Sequence, residues 1–370
     1  MKILFVLDNY VPYIGGAETM FQQLAEGLVR QGHQVKVVCP LIIQNCLKRE
    51  QINGVDIYRC QSGDRYLYTL LALPIVWRLA RSADIVHTTT YNAAPVAWLV
   101  AKLQKKKVII TIHEILGKLW WQKMNLLSAL FHWLFERLIL FLSFDKLIAV
   151  SQYTQSCLEH RGIKTRKITV IYHGLDNDLF DSRKADVVKI NKKLGLRDSF
   201  TYLFFGRPGI SKGLEYLIRA VPLIKEKIKE SKLILILGSE PHNRLKMIKQ
   251  LILKLGISQE IILLESVPRK ELPDYLAAVN CVVIPSLSEG FGFSAAESCA
   301  MNRPVVVSKV GALPEVVFGR VVWAKPGDSQ SIAEGIIRVF QKRWQEIPPK
   351  KFSWEKSINN YLKQYQSLCE

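Results

Sequence analysis

Acidic residues are scarce in this chain relative to basic ones: 32 Asp and Glu stand against 51 Lys and Arg, a formal charge of +19. The excess is not a single basic tail, because residues 1–180 hold 21 Lys and Arg against 13 acids and residues 181–370 hold 30 against 19. A positive field spread in this way suits an anionic membrane surface, a phosphorylated substrate or a polyanion. No helix-turn-helix, zinc-finger or RNA-binding signature accompanies it, so a nucleic-acid partner is not expected. The seven cysteines are odd in number and scattered, with no C-x-x-C pair. That excludes a disulfide framework or zinc ribbon and predicts reduced thiols in a cytoplasmic setting. The seven histidines lack metal-ligand spacing, so no metal is expected. No charge-free apolar run of twenty residues occurs, which excludes an ordinary membrane-spanning helix. Met1–Leu7 lacks the basic start and cleavage site of a secretory leader and reads as a strand. The first glycine turn has no G-x-G-x-x-G, which argues against a nicotinamide oxidoreductase.

What is present is an alternation of strand and helix signals long enough for two domains: 370 residues, 49% hydrophobic and 22% charged. Lys2–Leu7 is a short apolar run, a helical pattern spans Ala17–Gln31, Gly32 stands at a helix C-terminus, and Val35–Cys39 is the next strand. Ile85–His87, Val108–Ile112 and Lys146–Val150 behave alike. The second half repeats the pattern with strands at Tyr202–Phe205, Lys232–Leu237, Ile261–Leu264, Cys281–Ile284 and Val305–Ser308. Such alternation implies an α/β protein whose parallel sheets are covered on both faces. The charged, weakly periodic stretch Asn177–Ser199 predicts a domain junction, and Pro348-Pro349 a second break. The domains are therefore expected at 1–180 and 181–350, with the final helix, 351–370, returning to the first.

From Lys118 to Phe144 the chain is almost wholly apolar, and on a helix Ser128, His132 and Glu136 form a narrow polar stripe. Two readings stand here. One is a buried helix or helix hairpin; the other is an interfacial segment, with Trp120, Trp121, Lys118 and Lys123 at headgroup level and Lys105-Lys106-Lys107 nearby.

Chemistry concentrates in Pro285–Ala300, which leaves a buried strand, passes Gly290 and Gly292, and opens a helix near Ser294. Ligands of open parallel sheets bind at such carboxyl ends. Glycines admit backbone amides to a phosphate, and a helix N-terminus adds N–H groups with partial positive charge. Glu289 and Glu297 flank that turn, spaced to reach one ligand as hydroxyl-binding carboxylates. Helix capping alone would account for them equally well. Arg207 and Lys212 break the balance. Both fall in a second strand-to-helix turn, between Gly206 and Gly213, where a pyrophosphate needs cations.

With these pieces assembled, the chain resembles glycosyltransferase family 4, retaining enzymes of the GT-B fold, also described as glycosyl transferases group 1. The matching segments run in order: Gly15-Gly16-Ala17-Glu18, Thr111-Ile112-His113-Glu114, Val150-Ser151 and Val170–Asp176. Then come Gly206-Arg207 with Lys212-Gly213, the Glu289–Glu297 segment, Arg303–Ser308, Gly311–Val316 and Ser353-Trp354. The resemblance implies two Rossmann-like domains whose parallel sheets face a central cleft, the first on the acceptor side and the second binding the donor. It further implies that Arg207 and Lys212 hold the donor diphosphate, Glu289 the sugar hydroxyls and Glu297 the ribose. Gly290, Phe291, Gly292 and Phe293 would serve sugar and phosphate, Gly16 would leave room beside the first strand, and His113 would lie near the reacting sugar. Catalytic roles thus fall to His113, Arg207, Lys212 and Glu289. No metal or cofactor is expected, the nucleotide-sugar being a substrate. Asp176-Asn177-Asp178 matches the D-x-D of metal-dependent transferases of another fold, but its turn-forming residues follow His173-Gly174 and read as structural. Glu114, Glu265 and Asn280 depart from the family pattern, and Glu265 leaves the nucleotide base open.

The expected activity is metal-independent, retaining transfer of a hexose-type sugar from a UDP- or GDP-type donor. The expected acceptor is a membrane-associated glycan or polyprenyl-linked acceptor, in polysaccharide or glycoconjugate synthesis at the cytoplasmic face of an anionic membrane. A soluble transferase acting on a small sugar or sugar phosphate, and a non-catalytic nucleotide- or glycan-binding relative, are the alternatives.

Overall fold

The computed structural model describes residues 1–13, 15–41, 46–62, 65–196 and 199–370. Arg197 and Asp198, at the end of the expected junction stretch, lie outside the described residues. The chain forms two compact units, Met1–Gly174 with Phe352–Glu370, and Leu175–Lys351.

The first unit is built on eight strands: β1 Lys2–Val6, β2 Gln34–Pro40, β3 Arg49–Ile52, β4 Val55–Cys60, β5 Ile85–Thr89, β6 Lys107–Ile112, β7 Lys146–Ala149 and β8 Ile168–Val170. Their order is β3-β4-β2-β1-β5-β6-β7-β8, parallel throughout except for the β3–β4 hairpin. The central strands are runs of Val, Ile and Leu because helices cover both of their faces. Helix Gly16–Arg30 buries Met20, Phe21, Leu24, Ala25 and Leu28, one stripe of a 3.6-residue repeat. It ends where Gly32 takes φ 84°, a conformation that costs glycine nothing.

The second unit has seven strands: β9 Phe200–Gly206, β10 Ser231–Leu237, β11 Ile261–Glu265, β12 Cys281–Ile284, β13 Val305–Ser308, β14 Gly319–Ala324 and β15 Gln345–Ile347. They lie in the order β11-β10-β9-β12-β13-β14-β15, with only β15 antiparallel. The predicted strands all appear. The β3–β4 hairpin, β8, β14 and β15 were not predicted.

The unit boundary corrects the expected one. It falls at Gly174–Leu175, not at 180, and the chain re-enters the first unit at Phe352. A Cβ on Gly174 would overlap the Trp354 ring of the same unit. Past it, Phe180 is buried under the Arg269 guanidinium, 5.1 Å away, so this stretch already packs in the second unit. The returning helix, Trp354–Cys369, lies on helix Gly16–Arg30, where a Cβ on Gly27 would overlap Ile358. Its Tyr361 and Tyr365 are fully buried.

The apolar stretch forms two helices, Leu119–Lys123 and Leu126–Phe141, broken where Asn125 Oδ1 caps the second by accepting from Ser128 N–H at 2.9 Å. The polar stripe faces inward. Glu136 accepts from the Leu116 and Gly117 amides and from Trp120 Nε1, while His132 stacks on Trp120 at 4.7 Å. Leu127, Leu134, Leu138 and Phe141 are consequently exposed, at 79, 51, 57 and 72%. A fully buried helix is therefore not what forms. Among the described residues no helix is long and apolar enough to cross a membrane.

Candidate active site

In the second unit, two loops meet over neighbouring strands β9 and β12. From β9 the chain moves outward to β10 and β11; from β12 it moves the opposite way to β13 and β14. A ligand crevice forms at such a reversal. The first loop, Arg207–Gly213, closes on Gly213 at φ 62°, which caps helix Leu214–Lys227. A Cβ there would overlap the Pro285 carbonyl oxygen. Glycine thus lets the loop lie against the one leaving β12, and Leu287 N–H donates to the Ser211 carbonyl at 2.6 Å to join them.

The second loop ends at Gly292, φ 94°, opening helix Phe293–Ala300 with no side chain capping it. Glu289 is buried; Lys212 Nζ donates to its Oε1 at 2.7 Å and Ser286 Oγ to the same oxygen at 2.9 Å. Its own carbonyl accepts from Ala312 N–H at 2.9 Å, an approach that Gly311 permits because a Cβ would collide there. Glu297 is buried one turn into the helix, where Arg269 Nη2 donates to Oε1 at 2.8 Å. Burial raises the Glu297 carboxyl above its ordinary range, with Arg269 opposing the rise and Asp176 adding to it. Arg207 stands exposed just past β9, and Gly238 at the end of β10 leaves room for its stem, a Cβ there being 3.3 Å from Arg207 Cγ. The Phe291 and Phe293 rings meet edge to face at 5.2 Å.

Arg207, Lys212, Glu289, Gly290, Phe291, Gly292, Phe293 and Glu297 are thereby gathered at one end of one sheet. Gly16 and His113 belong to the first unit. There the strand order reverses between β1 and β5, and Gly16 begins the helix that follows β1. His113 follows β6, its ring 5.8 Å from Phe21 of that helix and 5.5 Å from His173. Burial lowers its pKa to about 4, so the ring is neutral near pH 7. Its Nε2 is buried with no hydrogen-bond partner among the described residues.

The sequence reading missed Arg269 and gave Glu18, quoted within the Gly15–Glu18 segment, no role. Arg269 pairs with Glu297 from a turn 28 residues upstream, a separation that carries no periodic signal. Glu18 is buried with Oε1 accepting from Asn9 Nδ2 at 3.2 Å, and its Oε2 has no partner among the described residues; its place beside Gly15-Gly16 was the available hint. Asp176 acts as a turn residue, its Oδ1 accepting from Leu179 N–H at 3.0 Å.

Residues 14–179 match the family profile of Glycosyltransferase Family 4, and residues 186–358 that of Glycosyl transferases group 1. The chain belongs to the group 1 glycosyltransferases. An uncharacterized glycosyltransferase of Methanocaldococcus jannaschii is 29% identical to this glycosyltransferase, over 100% of the chain and 99% of the relative. The GPI3 subunit of phosphatidylinositol N-acetylglucosaminyltransferase from Saccharomyces cerevisiae is 25% identical, over 85% of the chain and 70% of that protein. Among solved structures, Anabaena HepE in complex with UDP and glucose superposes with a TM-score of 0.79 at 22% identity, covering 99% of this chain and 100% of that one. That likeness identifies the glycosyltransferase fold as GT-B.

Proposed function

We propose that this glycosyltransferase moves a hexose-type sugar, with retention and without a metal, from a UDP- or GDP-sugar to a membrane-associated glycan or polyprenyl-linked acceptor in polysaccharide or glycoconjugate synthesis. The same proposal has the reaction run at the cytoplasmic face of the membrane. The observation that carries the donor half is the pairing of half-buried Lys212 with buried Glu289 at the β9/β12 reversal, with Arg207 in the same loop. The structural neighbour bound to UDP and glucose supports it. The acceptor half is supported by the outward-facing apolar helix and by the GPI3 relative, whose name specifies phosphatidylinositol.

In this reading Arg207 and Lys212 bind the diphosphate and stabilise the charge that grows on it as the sugar C1–O bond breaks. Glu289, with Oε1 held by Lys212 and Ser286, offers Oε2 to a sugar hydroxyl. Glu297, fixed by Arg269, accepts from the ribose hydroxyls. The acceptor oxygen bonds C1 on the face the diphosphate leaves, and its proton passes to a diphosphate oxygen. For His113, in the first unit, the proposed role is a hydrogen bond between a substrate hydroxyl and Nε2 of its neutral ring.

A thermal-shift screen of nucleoside diphosphates and their sugars tests the donor half. A ligand at a hundredfold its Kd stabilises by about 2.7 kcal/mol, and one nucleotide should stand out. Glu297→Ala should erase that shift while keeping the fold. A screen in which no nucleotide acts would sink the proposal.

A further inference from the structure

At the C-terminal end of helix Leu126–Phe141 the first unit carries an open pocket of about 410 Å³. Its floor is apolar, formed by Leu140, Leu142, Phe144 and Leu147. Around it stand Arg137 from the helix and Arg161, Lys164, Arg166 and Lys167 from the segment before β8. Among the described lining residues none is acidic. Arg161 is engaged, 3.8 Å from Glu136 and donating to the Cys157 carbonyl. Arg137, Lys164 and Arg166 are exposed. The Arg137 guanidinium rests over the Trp133 and Phe141 rings, at 4.9 and 5.9 Å, which holds it at the pocket mouth.

This pocket continues the exposed apolar stripe. Leu127, Leu130, Leu134, Leu138 and Phe141 recur at helical spacing along one side of the helix, and Phe141 also lines the pocket. Tyr66, beside Phe131 at 5.6 Å, leads on to exposed Leu67, Leu70 and Leu71 of helix Arg65–Leu71. Water is a poor solvent for such a stripe, while Glu136 and His132 on the opposite side of the helix are engaged with Leu116, Gly117 and Trp120. Apolar side chains flanked by exposed cations are complementary to acyl chains beneath phosphate headgroups.

We propose that the pocket is a binding site for the phosphate headgroup of an anionic lipid, occupied when the apolar side of helix Leu126–Phe141 enters the bilayer. The inference rests on the membrane-associated acceptor reading and adds to it the lipid class and the residues that select it. The headgroup phosphate sits among Arg137, Lys164 and Arg166, and the acyl chains run along the leucine stripe.

Flotation of the full chain with phosphatidylcholine vesicles, with and without phosphatidylglycerol, tests this. Anionic vesicles should bind it more tightly. Arg137→Gln/Lys164→Gln/Arg166→Gln, all at exposed positions, should weaken anionic binding by about a hundredfold and leave the weaker binding to neutral vesicles as it was. Lys246→Gln/Lys249→Gln/Lys254→Gln removes equal charge from the second unit and should change binding less than about twofold. Equal losses in the two triple variants would reduce the effect to diffuse charge and overturn the pocket. Release from anionic vesicles by inorganic phosphate at constant ionic strength would assign the pocket to free phosphate and overturn the lipid. Leu127→Glu/Leu134→Glu should abolish binding to both vesicle types. If the unaltered chain binds neither, the membrane-acceptor reading itself fails, a result distinct from binding that is equal with and without phosphatidylglycerol.

Discussion

Lys212 is the residue on which the proposed donor site turns, because one ammonium serves both a buried carboxylate and, in the proposed reaction, the leaving diphosphate. Without it Glu289 keeps Ser286 as a partner but loses its cation. Lys212→Met should lower kcat by about 10²–10³-fold, the scale of losing one preorganised charge contact, with Lys212→Arg intermediate. Steady-state kinetics at saturating donor would measure it, and an unchanged kcat would remove Lys212 from the reaction. The buried histidines make a separate prediction. His87 lies between Tyr365 Oη, 2.7 Å from Nδ1, and Thr111 Oγ1, 2.8 Å from Nε2. Burial, helped by His113, lowers its pKa to about 3, against roughly 6.5 in an unfolded chain. The unfolded state therefore binds the extra proton first, so this stabilisation is complete above about pH 6.5 and is lost as pH falls towards 3. His87→Gln should melt lower than the parent at about pH 7.5, having lost part of the bonded network, yet lose less on going to about pH 5. A drop as large as the parent's would mean that His87 does not titrate on unfolding.

At the scale of elements, turn glycines separate conformational strain from collision. Gly213 has φ 62° and would carry a Cβ into the Pro285 carbonyl, whereas Gly32 has φ 84° and open space around it. Gly32→Ala should cost about 1–2 kcal/mol, the left-handed penalty alone. Gly213→Ala should cost distinctly more and weaken nucleotide binding, because the loop carrying Arg207 and Lys212 must shift; thermal unfolding and calorimetric titration would read the two effects. The same contrast governs what the sequence made legible. Ile3–Val6 of β1, Leu233–Leu237 of β10 and Cys281–Ile284 of β12 are apolar runs buried on both faces, the pattern of strands inside a covered parallel sheet. Edge strands β3 and β15 are short and polar, Arg-Glu-Gln-Ile and Gln-Glu-Ile, and so carry no such pattern. For β3–β4 a signal existed and went unread: Asn53 and Gly54 both take positive φ, the two-residue turn that an Asn-Gly pair favours. The Ser128–His132–Glu136 stripe was visible as a period, but its direction was not. That depends on the amides of Leu116 and Gly117 and on Trp120, which tertiary structure brings to Glu136. Arg269 was hidden for the same reason: it meets Glu297 only once the β11–β12 connection is folded.

Across the whole molecule the chain leaves the first unit at Gly174 and returns at Phe352, so the last 19 residues complete a unit begun by Met1. They supply more than a cover. Tyr361 and Tyr365 are fully buried, and their hydroxyls reach Thr111 and His87 of the first sheet, at 3.2 and 2.7 Å. Removing two such side chains alone forfeits roughly 3–6 kcal/mol of apolar burial and leaves His87 without one of its two partners. Deleting Phe352–Glu370 should therefore unfold the first unit at a markedly lower temperature. The second unit keeps its own sheet, its hydrophobic core and both loops of the proposed donor site. Its transition should survive the deletion and should still rise when the nucleotide selected by the screen is added. Scanning calorimetry with and without that nucleotide measures both transitions. Simultaneous loss of the two, or loss of the nucleotide-dependent rise, would show that the donor site draws its stability from the first unit and not from the β9–β12 reversal on which it is built.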